Sequence, residues 1–143
     1  MNFGWPLISE TTRLVAPGHK VAARDAAAEG GMAEWDTMPP PTRDFAEQVM
    51  YHDLPADGDG FCSVQIRNDG FFKSSGSALK LSFRKEELPC LVQWRQAGVG
   101  DYVMGLEPAN CYPLGQNDFA KTGLLRRIEP GQTVETIVRV EVV

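Results

Sequence analysis

The chain has 143 residues, enough for one domain with a real hydrophobic core, and we expect residues 1–143 to form a single domain. Its 43% hydrophobic and 23% charged content is ordinary for a soluble globular protein, and no run approaches the roughly 18 apolar residues of a membrane span. The net charge of −5, with only two short basic pairs, argues against a nucleic-acid partner.

Alternating apolar and polar residues predict strands through most of the chain. In the middle, Val64 and Ile66 share one face of a strand, and Leu79, Leu81 and Phe83 share one face of the next. In the last strand the valines share a face that we expect to be buried. The predicted strands are Arg13–Val15, Glu47–His52, Phe61–Arg67, Leu79–Arg84, Leu91–Arg95, Tyr102–Glu107 and Val134–Val142.

Turn residues separate these strands at regular intervals. Asp57–Gly60, Asn68–Gly70 and Glu129–Gln132 supply the glycines and the proline that tight turns need. Ala22–Glu29 is alanine-rich and is either a short helix or a mobile surface segment. Met38–Pro41 predicts a stiff, extended connector. The pattern as a whole predicts an all-β fold, an antiparallel β-sandwich.

The cysteines do not predict a metal site or disulfides. Cys62, Cys90 and Cys111 are odd in number and widely spaced, which is typical of reduced thiols in a cytoplasmic protein. Asp57–Gly60 resembles the start of a calcium loop, but the glycine and the second acid of an EF-hand are missing at their required positions. No signal peptide is evident. We therefore expect a cytoplasmic location, no metal and no cofactor.

Residues 102–111, Tyr-Val-Met-Gly-Leu-Glu-Pro-Ala-Asn-Cys, carry the most chemical information. An apolar run ends on Glu107, and Pro108 restricts Glu107 to an extended conformation. The acid is thus expected at the rim of a sheet, close to the amide of Asn110. A carboxylate on a rigid strand end suits proton transfer or sugar binding. A simply solvated edge glutamate is the alternative.

Residues 102–111 resemble the C-terminal active-site strand of the aldose 1-epimerase (galactose mutarotase-like) superfamily, where a Leu-Glu strand end carries the catalytic base. Asn2–Leu7, Phe45–Val49, Tyr51–Leu54 and Leu88–Trp94 are similar, in the same order, to an uncharacterised bacterial branch of that superfamily. The resemblance implies part of the family's supersandwich fold. It also implies an isomerase acting on the anomeric centre of a free sugar, with Glu107 as general base.

One feature of the superfamily has no counterpart in this sequence. In the family, a histidine that serves as general acid directly precedes the segment resembling Asn2-Phe3-Gly4, whereas here that segment follows Met1. A first half of comparable length also comes before this point in the family. The resemblance therefore implies the C-terminal half of an epimerase, inactive alone if the acid is not supplied.

The remaining pocket residues are expected to orient sugar hydroxyls. We favour Gln93 in the site and its neighbour Trp94 in the core, because adjacent strand residues point to opposite faces. Asn2, beside the missing histidine, is a further expected ligand. His52 is expected to contact a sugar hydroxyl or to replace the absent acid, and its alternative is a structural role at a strand end.

Three functions follow from these expectations. The chain is the base-bearing half of a sugar epimerase, a non-catalytic carbohydrate-binding sandwich, or an incomplete sheet used for assembly. In the third case an exposed sheet edge would pair with a second copy to give a homodimer. The expected partner in the first two is a small sugar, with neither nucleic acid nor membrane involved.

Overall fold

The computed structural model describes residues 2–3, 8–16, 18–71, 76–121, 123 and 125–143, with the backbone alone for residues 2, 3, 116 and 119. Most of the resemblance segment at residues 2–7 lies outside the described residues. The described strands form two antiparallel sheets. These strands are β1 Asn2–Phe3, β2 Thr12–Val15, β3 Lys20–Ala23, β4 Gln48–Asp53, β5 Phe61–Asn68, β6 Ser77–Arg84, β7 Cys90–Ala97, β8 Tyr102–Ala109 and β9 Val138–Val142.

One sheet has five strands in the order β1-β8-β7-β4-β3, and the other has four in the order β2-β5-β6-β9. The two sheets pack through apolar residues that alternate along β5, β6, β7 and β8, which confirms the predicted antiparallel sandwich. The buried cluster between them includes Leu14, Cys62, Val64, Ile66, Leu81, Phe83, Leu91, Met104 and Leu106.

Short helices lie in the connections between strands. They are α1 Ala26–Glu29, a 3-10 turn Met32–Glu34 and α2 Gln116–Lys121. The Asp25 side chain begins α1 by accepting a hydrogen bond from Ala28 N at 3.0 Å. The described residues contain no helix long and apolar enough to cross a membrane.

Two predicted segments differ from the structure. The alanine-rich segment is divided, because β3 runs to Ala23 in register with β4 and α1 begins only at Ala26. The last strand is shorter than expected and begins at Val138. Its valines are exposed instead of buried, because β9 extends the four-stranded sheet where no described residue covers it.

Candidate functional site

The five-stranded sheet has two chemically different faces, fixed by strand register. Gln93 lies opposite Leu106, and this side, the inner face, packs against the four-stranded sheet. Val92 lies opposite Glu107 and Trp94 opposite Gly105, so these residues share the other side. We call that side the Glu107 face, and its exposed carboxylate is the starting point for a candidate site.

Gly105 creates space for the Glu107 carboxylate. A Cβ at Gly105 would lie 3.1 Å from Glu107 Oε1 and 3.5 Å from both Cβ and Cε3 of Trp94. The carboxylate and the indole therefore border the same small volume above the glycine backbone. A glycine inside a strand often marks such a close approach of backbone to a ligand or neighbour.

Backbone pairing also explains why β8 tolerates a proline beside this acid. β1 pairs with β8 only at Met104 and Gly105, so the described part of β8 beyond Gly105 has β7 as its single neighbour. Proline is confined to such edge positions within a sheet. The strand continues through Pro108 to Ala109, two residues past Glu107, so the predicted strand end is displaced by two residues.

Trp94 is held on the Glu107 face by a chain of polar contacts. Its indole Nε1 donates to Glu47 Oε2 at 2.8 Å, and Arg24 Nη2 donates to Glu47 Oε1 at 3.1 Å. The hydrogen bond from Trp94, together with that from Arg24, lowers the pKa of the Glu47 carboxyl. Glu47 thus stays ionised and fixes the orientation of the indole.

Two asparagines were predicted for the site. Asn110 is near Glu107 in the sequence, and Asn2 is near it in the pairing of β1 with β8. Asn2 is opposite Gly105 in the β1–β8 ladder, and its side chain lies outside the described residues. Asn110 is exposed in the bend directly after β8. Both residues remain predicted ligands.

Gln93 and Trp94 have the reverse of the expected orientation. Gln93 is 0% exposed on the inner face, where its Oε1 lies 2.9 Å from His52 Nε2 and its Nε2 donates to Trp35 O at 2.8 Å. Trp94, expected in the core, is half-buried on the Glu107 face. The sequence established that the two residues point to opposite faces, but not which face is buried.

His52 is likewise separated from Glu107 by the thickness of the sheet. It is 0% exposed and belongs to the inner side, with Nδ1 3.0 Å from His19 Nε2. Trp35 packs edge-on against both imidazole rings. These are the two histidines of the chain, so the idea that His52 replaces the absent acid beside Glu107 is not supported by its position.

The hydrogen bonds of Gln93 assign the tautomer of His52. Gln93 uses its amide N–H on Trp35, so Gln93 Oε1 accepts from His52 Nε2. His52 Nδ1 then accepts from His19 Nε2. Burial lowers the pKa of His52 from 6.5 to about 4, although the hydrogen bond to Gln93 partly opposes this shift. His52 is thus a neutral structural link between Gln93 and His19.

This link predicts a loss of stability in mild acid. The unfolded chain binds a proton at His52 near pH 6.5 and the folded chain only near pH 4, so stability is full above pH 6.5 and falls as the pH is lowered toward 4. Between about pH 7 and pH 5 the free energy of unfolding should drop by about 2 kcal/mol because of His52. Urea unfolding at both pH values measures this.

Variants of the two histidines show how much of this pH dependence comes from His52. His52→Gln should flatten the pH dependence between pH 7 and pH 5, and His19→Gln should reduce it less, because His19 is only half-buried. An unchanged pH profile in His52→Gln would contradict the neutral link.

Arg95 is a structural residue that sequence reasoning missed. It is 2% exposed on the inner face, and its Nε donates to Gln48 Oε1 at 3.0 Å. Its remaining N–H groups bond the carbonyls of Glu34, Thr37 and Gly31, at 2.5, 2.7 and 3.2 Å. The guanidinium therefore attaches the 31–37 segment to β7.

One of several concavities on the described surface is a weaker candidate for a ligand site than the Glu107 face. It has a volume of about 350 Å³ and lies on the four-stranded sheet, lined in part by Gln65, Arg67 and Val143. Arg67 Nε is paired with Asp69 Oδ1 at 2.5 Å, and both side chains are more than half exposed. A mutually neutralised, solvated pair of this kind gives little basis for ligand recognition.

The fold of the chain matches a solved structure. A protein from Klebsiella pneumoniae described as a "putative aldose 1-epimerase" superposes with a TM-score of 0.87 at 24% sequence identity. The match covers 99% of this chain and 36% of that protein's chain. The chain therefore has part of an aldose 1-epimerase-like fold.

The sequence also matches a defined protein family. Residues 1–142 match the family described as "Domain of unknown function (DUF4432)", and the chain belongs to that family. No curated protein matches the sequence.

Proposed function

We propose that the chain is the base-bearing, sugar-contacting part of an aldose 1-epimerase-like protein. The observation that carries the proposal is the exposed Glu107 carboxylate, which shares one face of the sheet with the Trp94 indole on either side of Gly105. The fold similarity to an epimerase-like protein supports it. The substrate is a free aldose, and no metal or cofactor takes part.

The chemistry assigns each group a distinct role. Glu107 removes the proton from the anomeric hydroxyl while an acid protonates the ring oxygen, so the C1–O5 bond breaks and the ring opens. Rotation about C1–C2 and reclosure on the other face of the carbonyl give the second anomer. Each properly placed acid or base contributes about 10²–10⁴-fold to the rate.

Trp94 supplies the apolar contact in this proposal. The C–H face of a pyranose is apolar, and an indole held by Glu47 at 2.8 Å offers a rigid surface for it at little entropic cost. Asn110 and Asn2 are the proposed amide ligands for hydroxyl groups.

A second candidate function is carbohydrate binding without catalysis. Its specific support is that both histidines lie on the inner side of the five-stranded sheet, away from Glu107. The Glu107 face then has a base and an aromatic platform, but neither histidine of this chain is beside them as the acid.

A sugar titration with a mutarotation assay tests both candidates. Aldose binding should change the fluorescence of Trp94, and Trp94→Ala should weaken affinity about tenfold, or about 1.4 kcal/mol. Trp35→Phe is the matched control, because Trp35 packs against the histidines on the inner side and should keep its sugar affinity.

The outcomes separate the two functions. Binding together with accelerated mutarotation supports the epimerase proposal, whereas binding without acceleration supports the binding module. Absence of binding, or equal loss in the Trp94 and Trp35 variants, would contradict both.

A further inference from the structure

The outer edge of β9 is not paired with any strand among the described residues. The opposite edge strand of that sheet, β2, is covered, since Leu14 N donates to Asp36 O at 2.7 Å and Arg13 bridges Thr37. An unpaired edge presents N–H and C=O groups to any strand that fits it. β9 therefore has the free edge of the four-stranded sheet in the described part of the chain.

The register identifies which backbone groups point outward. Val143 N donates to Ala78 O at 2.9 Å, so these two residues form a hydrogen-bonded pair of the β6–β9 ladder. Bonded and non-bonded pairs alternate along an antiparallel ladder, so residues 141 and 139 also bond to β6. The residues left with outward-facing backbone groups are Val138, Val140 and Val142.

The same three valines form an exposed apolar row. Val138, Val140 and Val142 are 40%, 44% and 82% exposed. In register with β6 they share the face of Leu81 and Phe83, which are both 1% exposed in the core. The apolar face of the sheet thus continues past the core onto β9, where the described residues leave it open to solvent.

Two opposite charges lie between the valines, in the sequence Val138-Arg139-Val140-Glu141-Val142. If two copies of β9 pair antiparallel about Val140, Arg139 of each copy lies opposite Glu141 of the other. A slip of two residues in either direction, the smallest slip that keeps the backbone groups matched, places Arg139 against Arg139 or Glu141 against Glu141. The charges therefore select the register centred on Val140.

We propose that the partner of this edge is a second copy of the chain. The two β9 strands pair antiparallel about Val140 and join the four-stranded sheets into one continuous eight-stranded sheet with twofold symmetry. The interface is isologous, as expected for a self-complementary patch. Cross-strand Val140–Val140 and Val138–Val142 contacts cover the apolar row, and two Arg139–Glu141 pairs fix its register.

Charge reversal tests both the partner and the register. Sedimentation from about 1 to about 200 µM should show the chain approaching twice its 15.7 kDa mass. Arg139→Glu alone or Glu141→Arg alone should raise the dimer dissociation constant more than about tenfold, because each creates two like-charge pairs. Mixing the two variants should restore association, since every cross-strand pair is then Glu against Arg.

A backbone variant and a control complete the experiment. Val140→Pro should also prevent dimer formation while keeping the β6 pairing, because the Val140 N–H points outward. Arg13→Glu, an exposed charge reversal on the covered β2 edge, should leave the dimer unchanged. A wild-type monomer throughout the range, a dimer that survives both single reversals, or mixed variants that stay monomeric would each overturn the proposal.

Discussion

Replacing Glu107 with glutamine should lower the catalysed rate of aldose mutarotation by about 10²–10⁴-fold while sugar affinity stays nearly unchanged. Glutamine keeps the shape and one acceptor oxygen of the side chain but cannot take a proton from the anomeric hydroxyl. The effect should therefore fall on kcat and leave KM almost unaltered. Polarimetry with a freshly dissolved single anomer measures the rate.

The control for this variant is Glu86→Gln, an exposed acid in the turn between β6 and β7. It changes the net charge by the same amount as Glu107→Gln and should leave the rate within about twofold of wild type. Equal losses in the two variants, or a Glu107→Gln rate close to wild type, would remove Glu107 from the base role.

Gly105→Ala is a positional companion to that variant. Its new Cβ would lie 3.1 Å from Glu107 Oε1, a tight contact that forces the carboxylate to shift by a few tenths of an ångström. A displaced carboxylate is still a base, but it is no longer aligned with the anomeric hydroxyl. The rate of mutarotation should therefore fall. Glu107→Gln tests whether the carboxylate is needed, and Gly105→Ala tests whether its position matters.

Replacing Arg95 with alanine should lower the free energy of unfolding by about 3–5 kcal/mol. The substitution leaves a cavity and removes the donors from the carbonyls of Gly31, Glu34 and Thr37, which anchor the 31–37 segment. Arg95→Lys should recover only part of the loss, because an ammonium has three donors and the guanidinium five. Urea unfolding followed by circular dichroism gives these values.

Arg67→Ala provides the comparison for Arg95. Arg67 is exposed and pairs with Asp69 at the surface, so its removal should cost less than about 1 kcal/mol. If Arg95→Ala loses no more stability than Arg67→Ala, the buried guanidinium does not hold the 31–37 segment.

The sequence predicted the strands in which apolar and polar residues alternate. β5 and β6 have the predicted apolar faces because Val64, Ile66, Leu81 and Phe83 can be buried together only on one side of a pleated strand. β3 was missed because its alanines favour a helix in isolation, whereas pairing with β4 decides the outcome.

The sequence predicted the position of Glu107 on its strand, but not which side chains surround it. The sequence placed Glu107 on a strand next to Pro108, and the structure has it there. Alternation could not tell which of Gln93 and Trp94 faces the acid, because the choice depends on which side of the five-stranded sheet packs against the other sheet, and residues far away in the sequence decide that. Arg95 was hidden for a related reason, since several of its partners are backbone carbonyls that leave no sequence signature.

A crystal structure of the protein with a bound aldose would show directly whether Glu107 and Trp94 contact the sugar. We expect a sugar ring stacked on the Trp94 indole, with its anomeric hydroxyl within hydrogen-bond distance of a Glu107 carboxylate oxygen. A sugar bound on the four-stranded sheet or on the inner side near His52, with the space above Gly105 left empty, would contradict this expectation.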